Sequence, residues 1–153
     1  MVEFEPMRRD EFSDYWKYSV ESWARDMKKA GFLREDVSYE ESKEQMKKFT
    51  PDGIDTKGHY FMHLVCDGER VGTIWFEIRE RDVKESYLWD IIIQEDQRGK
   101  GYGKKSIVKL EEFVKRRGAV RVSLNVFGYN TVARNLYRKA GYSEASIIMI
   151  KFV

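Results

Sequence analysis

The sequence predicts an α/β fold built on a mixed sheet, and the order of its elements is the reason. Two amphipathic helical stripes come first, then two strand patterns joined by Asp67-Gly68, then strand, helix, strand, helix and strand in alternation. The chain's 153 residues carry 42% hydrophobic residues, including four Trp, nine Tyr and nine Phe. At that size about 68–70% of the unfolded surface is buried on folding, enough for a core without metal or disulfide. No repeat, low-complexity tract or second core interrupts the pattern, so residues 1–153 read as a single domain.

Each element has its own signal. Residues 2–6 read as a first strand. From Phe12 to about Ala30, the positions Phe12, Trp16, Val20, Trp23, Met27 and Ala30 recur at intervals of three and four, one face of a helix closed by Gly31. Ser38-Tyr39-Glu40-Glu41 is a capping box, which starts a second helix running to about Phe49. Thr50-Pro51-Asp52-Gly53 then forces a turn.

Tyr60–Cys66 and Val71–Arg79 read as hairpin strands around Asp67-Gly68. Tyr87–Ile93 is too continuously apolar to be an edge strand with one wet face. A helix with Ile107, Leu110, Phe113 and Val114 on one face ends near Gly118. Ala119–Asn125 reads as a strand, Thr131–Ala140 as a helix stopped by Gly141, and Tyr142–Phe152 as a last strand.

Composition narrows the function. Cys66 is the only cysteine, so an intrachain disulfide is excluded and a reducing compartment is favoured. The opening residues lack a basic stretch followed by an apolar one, and no run approaches a membrane span, so a cytoplasmic protein without membrane attachment is expected. The net charge is only +2, which gives no support for a nucleic-acid partner.

The chemistry-bearing motif is Arg98-Gly99-Lys100-Gly101-Tyr102-Gly103, lying between a strand and a helix. Glycines there admit a ligand close to the backbone, and the first-turn N–H groups of a helix hold anions. Arg98, Lys100, Lys104 and Lys105 supply positive charge suited to several phosphates. The alternative reading is a plain glycine turn. A dinucleotide fingerprint is ruled out because the strand after the helix ends in Asn125 rather than an acidic residue. A P-loop is ruled out because Gly103-Lys104 is followed by Lys105.

With Arg98, Gly101 and Gly103 matching Arg/Gln-x-x-Gly-x-Gly/Ala, the chain resembles the GCN5-related N-acetyltransferase (GNAT) superfamily. Asn125, Asn130, Ala133, Leu136, Tyr137 and Gly141-Tyr142 match its second element. Gly72-Thr73-Ile74-Trp75 and Asn125-Val126-Phe127-Gly128-Tyr129-Asn130 strengthen the likeness to bacterial and archaeal members. The resemblance implies a mostly antiparallel mixed sheet flanked by helices, with a splayed central strand pair. It also implies acetyl-CoA as cosubstrate, no metal, and direct attack by a primary amine.

Under that resemblance, Arg98, Gly99, Lys100, Gly101, Tyr102, Gly103 and Lys104 receive the coenzyme A pyrophosphate. Backbone groups of Ile91, Ile92 and Ile93 receive the pantetheine arm. Asn130 either contacts the cofactor or caps the last helix, and Tyr137 either protonates the leaving sulfur or packs its ring. Many members carry a Glu base at the start of the fourth strand, where this chain has Tyr87, so Glu77 and Asp90 become the base candidates, acting directly or through water. Asp90 in an apolar strand is costly unless paired or facing the cleft, and strand alternation could turn it away from the substrate. His59 and His63 read as structural or exposed.

The acceptor is expected over the first two helices and residues 50–59. Tyr15, Trp16, Tyr18, Trp23 and Tyr39 offer aromatic surface there, and Glu21, Asp26, Glu40 and Glu41 could attract a cation. A small-molecule amine or a peptide or protein N-terminus fits this description. Members of the family often form a homodimer through a sheet edge or C-terminal strands, and the residues leave the oligomeric state of this chain open. The competing functions are a non-catalytic acyl-CoA sensor and a small RNA-binding domain using Lys100, Lys104, Lys105, Arg116, Arg117 and Arg121.

Overall fold

Five strands lie side by side in chain order in the computed structural model, which describes residues 1–153: β1 (Val2–Pro6), β2 (His59–Cys66), β3 (Glu69–Glu80), β4 (Lys84–Ile93) and β5 (Arg121–Leu124). The first four pair antiparallel and β5 lies parallel to β4, so the sheet is mixed and mostly antiparallel, as expected. Helices α1 (Arg9–Lys29) and α2 (Tyr39–Lys47) cover one face; α3 (Tyr102–Lys115) and α4 (Thr131–Lys139) cover the other. No helix is long and apolar enough to cross a membrane.

Local chemistry sets the boundaries. Ser38 accepts a hydrogen bond from the Glu41 N–H at 3.2 Å, and the Glu41 carboxylate accepts from the Ser38 N–H at 2.9 Å, completing the capping box. Asp67 and Gly68 both adopt positive φ, 52° and 81°, the pair of left-handed residues that a two-residue hairpin turn needs.

Two cores result. The larger joins Leu64, Ile74, Phe76 and Leu88 of the sheet to the α3 stripe of Ile107, Leu110 and Val114. Each such side chain stabilises the fold by roughly 1.5–3 kcal/mol when fully buried. The smaller core, under α1, gathers Tyr15, Val20, Met46, Phe61 and Trp75.

Two irregularities in β4 position the site. Trp75 of β3 pairs with Asp90, but the next residue, Phe76, pairs with Leu88, so Trp89 is an extra residue, a β-bulge. Beyond Leu88 paired with Leu124, β5 ends while β4 continues to Ile93, so the parallel pair comes apart and leaves the outer edge of β4 without a partner strand. This is the splayed pair that the family likeness implies.

The expected last strand, Tyr142–Phe152, is not formed. Residues 143–153 take no regular structure, and Ile147, Ile148, Met149 and Phe152 stand exposed. The β-branched run supplies strand propensity, which counts only where a neighbouring edge completes the ladder. β5 is four residues long, and the tail instead extends toward the end of α1, where the Phe152 ring reaches Gly31.

Candidate active site

One end of the splayed pair is the α3 N-terminus. Gly101 is the residue that precedes the helix, with φ of 80°, a conformation L side chains reach only with strain. It has no side chain to cap the helix, so the first-turn N–H groups of Tyr102, Gly103 and Lys104 stay available to an anion. A Cβ built on Gly99 or Gly101 would meet nothing within 4 Å, so open space adjoins the turn. Gly103 serves packing instead. A Cβ there would lie 3.3 Å from Leu136, so its absence lets α3 and α4 approach closely.

Around this turn, Arg98 donates from Nε to the Ile93 carbonyl at 3.1 Å, fixing the end of β4 against the turn. The Lys100 ammonium meets the Gln97 side chain at 3.0 Å, and Lys104 is exposed. Tyr102 packs its ring on the larger core, so only its backbone serves the turn. Asn130 caps α4, its side-chain oxygen accepting from the Ala133 N–H at 3.1 Å.

The other end is a cleft under α1. Ser19, Ser22, Trp23 and Asp26 of α1 form one wall; Met46 and Phe49 form another. Trp75, Trp89 and Asp90 make the sheet side, and Phe127, in the loop between β5 and α4, closes it. The bulge is what brings Trp89 and Asp90 to the same face: period-two alternation would have sent one of them away. Trp89 stacks on Trp75 with centroids 5.1 Å apart and also meets Phe49 at 4.7 Å. The Trp89 indole N–H and the Ser19 hydroxyl are buried without a hydrogen-bond partner.

Asp90 is the chemically unusual group. Burial pushes its carboxyl up to about 6, against the opposing hydrogen bonds from the Tyr15 hydroxyl, at 3.2 Å, and the Ile91 N–H; the Asp26 carboxylate pushes the same way as burial. Near neutral pH it is therefore poised to take a proton. Tyr137, 9% exposed, is pushed up to about 12 by burial and then by the Asp90 charge, so it remains a protonated donor. Its ring also packs in the larger core and lies 5.7 Å from that of Tyr142, so the packing role is filled as well.

Glu77 stands in a different environment. One carboxylate oxygen accepts from Arg79 at 2.7 Å, and the other meets His59 Nε2 at 3.0 Å. Burial pushes this carboxyl up, but His59 and Arg79 outweigh it and hold the group below the ordinary range. The Trp75 indole N–H donates to His59 Nδ1 at 2.9 Å, which makes Nδ1 an acceptor and leaves the ring proton on Nε2, directed at Glu77. His59 is thus a buried structural link. His63 likewise meets Glu11 at 3.0 Å.

Of the residues expected near the acceptor, Trp23 and Asp26 line the cleft and Tyr15 holds Asp90, while Trp16 packs edge-on against Trp75. Tyr18 is exposed, and Glu21 and Tyr39 border a separate groove between α1 and α2. Residues 50–59 do not line the cleft; they fold back on themselves through Thr56, whose hydroxyl donates to the Gly53 carbonyl at 2.8 Å. Trp89, Ser19 and Phe49 are cleft residues that sequence patterns leave unmarked. Phe127 has a signal, the Asn125–Asn130 motif, but the motif alone assigns it no contact.

A mixed sheet whose parallel pair splays beside a glycine-led helix matches the architecture that the sequence resemblance implies. The chain belongs to the acetyltransferase (GNAT) family, whose model matches residues 8–142. It is 32% identical over 149 residues to the uncharacterised N-acetyltransferase YycN of Bacillus subtilis strain 168, covering 95% of each chain. It is also 32% identical to the uncharacterised N-acetyltransferase YdgE of the same organism, over 96% of this chain and 95% of that one. The crystal structure of Bacillus subtilis YycN superposes with a TM-score of 0.94 at 29% identity, covering 100% of this chain and 99% of that one.

Proposed function

We propose that this chain transfers an acetyl group from acetyl-CoA to a primary amine by direct attack. The observation that carries this reading is the splayed gap beside β4, with the α3 N-terminus at one end and the Asp90 cleft at the other. The residues present suit the cosubstrate. The N–H groups after Gly101, with Arg98, Lys100 and Lys104, would hold its phosphates. Along the unpartnered edge, Ile91 and Ile93 turn backbone groups outward, with the Ile93 carbonyl taken by Arg98, and an amide-bearing arm can pair with the rest as an added strand does. A backbone N–H on that edge would also polarise the thioester carbonyl.

The protein's own groups then manage two protons. An amine arrives as an ammonium ion, and Asp90 removes a proton so that the nitrogen lone pair can attack the thioester carbonyl carbon. The C–S bond breaks as Tyr137 donates a proton to the departing sulfur, and the extra proton still carried by the attacking nitrogen of the adduct passes to the Tyr137 oxygen, directly or through water, which leaves the neutral amide and restores the phenol. Asp90 is preferred over Glu77 because both oxygens of Glu77 are engaged by His59 and Arg79.

The test is release of free thiol from acetyl-CoA in the presence of primary amines, beside equilibrium binding of acetyl-CoA. Amine-dependent thiol release is the expected result. Tight acetyl-CoA binding without release for any amine would contradict the assignment as an enzyme.

A further inference from the structure

The cleft under α1 has a chemical bias that narrows the acceptor. Its charged lining groups are Asp90 and Asp26, and none of the side chains lining it is cationic. Arg25 approaches Asp26 only at 3.8 Å and lies outside the cleft. Asp90 sits against the sheet beside Trp89, whereas the Asp26 side chain is 37% exposed. Five aromatic rings, Trp23, Phe49, Trp75, Trp89 and Phe127, line the same cleft; their π-faces attract cations and their carbon surface suits methylene groups.

The polar groups are also unevenly satisfied. The Ser19 hydroxyl, on a residue only 6% exposed, borders the cleft with no partner, and neither has the Trp89 indole N–H. Leaving buried donors unpaired costs about 1–3 kcal/mol each, a cost relieved when a ligand acyl oxygen accepts the bond.

Resting on the acetyl-transfer reading, we propose that the acceptor is an aliphatic primary amine bearing a second positive charge and no anionic group. The reactive ammonium is directed to Asp90, the methylene chain runs between Trp23 and Trp89, and the second cation lies at Asp26. An α- or ω-amino acid is disfavoured because its carboxylate would face Asp26 in a cleft with no cationic group to receive it. A phosphorylated amino sugar is disfavoured for the same reason.

Three acceptors of matched length separate the possibilities: 1,4-diaminobutane, n-butylamine and 4-aminobutanoate, each assayed by thiol release with saturating acetyl-CoA. The diamine is expected to exceed butylamine in kcat/KM by about 10-fold and the amino acid by about 100-fold or more. Asp26→Asn is expected to lower kcat/KM for the diamine by about 10-fold more than for butylamine, a split that a general structural defect would not produce. Equal rates for the diamine and 4-aminobutanoate, or equal losses for diamine and butylamine in Asp26→Asn, overturn the proposal. Turnover of a peptide N-terminus or aminoglycoside but not the diamine overturns it while leaving acetyl transfer standing. Acetyl-CoA binding with no diamine turnover also overturns it; absence of acetyl-CoA binding removes the transfer reading itself.

Discussion

On the α3 side of β4 the site is made of backbone, whereas on the α1 side it is made of side chains. At the Gly101 turn, the groups offered to a ligand are N–H donors set by helix geometry and left-handed glycines, and they ask little of side-chain identity. In the cleft, the ligand-facing groups are indoles, phenyl rings, hydroxyls and carboxylates drawn from α1, the end of α2, β3, β4 and the loop before α4. A shared cosubstrate can be recognised by the first kind of surface across many sequences. Under the proposed function the acceptor is left to the second kind, where single substitutions change the chemistry. The bulge at Trp89 is where the two meet, since it turns Asp90 into the cleft while the edge beyond it stays unpaired.

The largest effect should come from Asp90→Asn. Removing a general base commonly costs 10²–10⁴-fold, so kcat should fall by about 100-fold or more. Stability should move the other way. The Asp90 carboxyl is raised from 3.8 to about 6, so the folded state binds its proton more tightly than the unfolded chain does. Stability therefore falls as pH rises from about 4 to about 6, and stays lowered above that range. Two pH units at ~1.4 kcal/mol each set an upper bound of about 3 kcal/mol, which Asp90→Asn should recover in part at pH 7. Urea melts of both proteins at pH 4.5 and pH 7 check this; a wild-type advantage over the variant at pH 7 would contradict it. In the wild type, kcat should rise with pH through about 6 as Asp90 loses its proton, and a flat profile across that region would exclude Asp90 as the base.

On the backbone side, Gly101→Val should weaken acetyl-CoA binding by about 10- to 100-fold. A β-branched residue at φ of 80° is strained by roughly 1–3 kcal/mol and must shift the helix start to relax. Calorimetric titration of the folded variant with acetyl-CoA measures this, and an unchanged affinity would move the cosubstrate elsewhere. Tyr137→Phe keeps the ring that packs the core but removes the proton donor, so kcat should drop by about 10-fold or more with little change in melting temperature. Smallest is Asn130→Ala, which deletes the α4 cap and should cost about 1 kcal/mol of stability. Any further loss of acetyl-CoA affinity there would show that Asn130 also touches the cosubstrate.

What the sequence discloses follows the same division. The capping box at Ser38, the Asp67-Gly68 turn and the Arg98–Gly103 motif are short-range devices, so their residues announce them. The strand pairing of Trp75 with Asp90 and Phe76 with Leu88 is long-range, and the bulge between them leaves no mark in the order of residues. For that reason alternation alone does not say which way Asp90 faces. His59 stands isolated in the sequence because its partners Trp75 and Glu77 lie 16 and 18 positions further along the chain. The Ile147–Ile150 run reads as strand by composition, yet a ladder needs a partner edge, and within this chain none pairs with it.

The division between the two sides is tested most directly by titrating acetyl-CoA into wild type and Asp90→Asn while measuring amine-dependent thiol release from both. Asp90→Asn should bind acetyl-CoA with an affinity within about two-fold of wild type while losing thiol release by about 100-fold or more. A variant that loses binding and turnover together, or that keeps its full turnover, would contradict a site split between backbone for the cosubstrate and side chains for the acceptor.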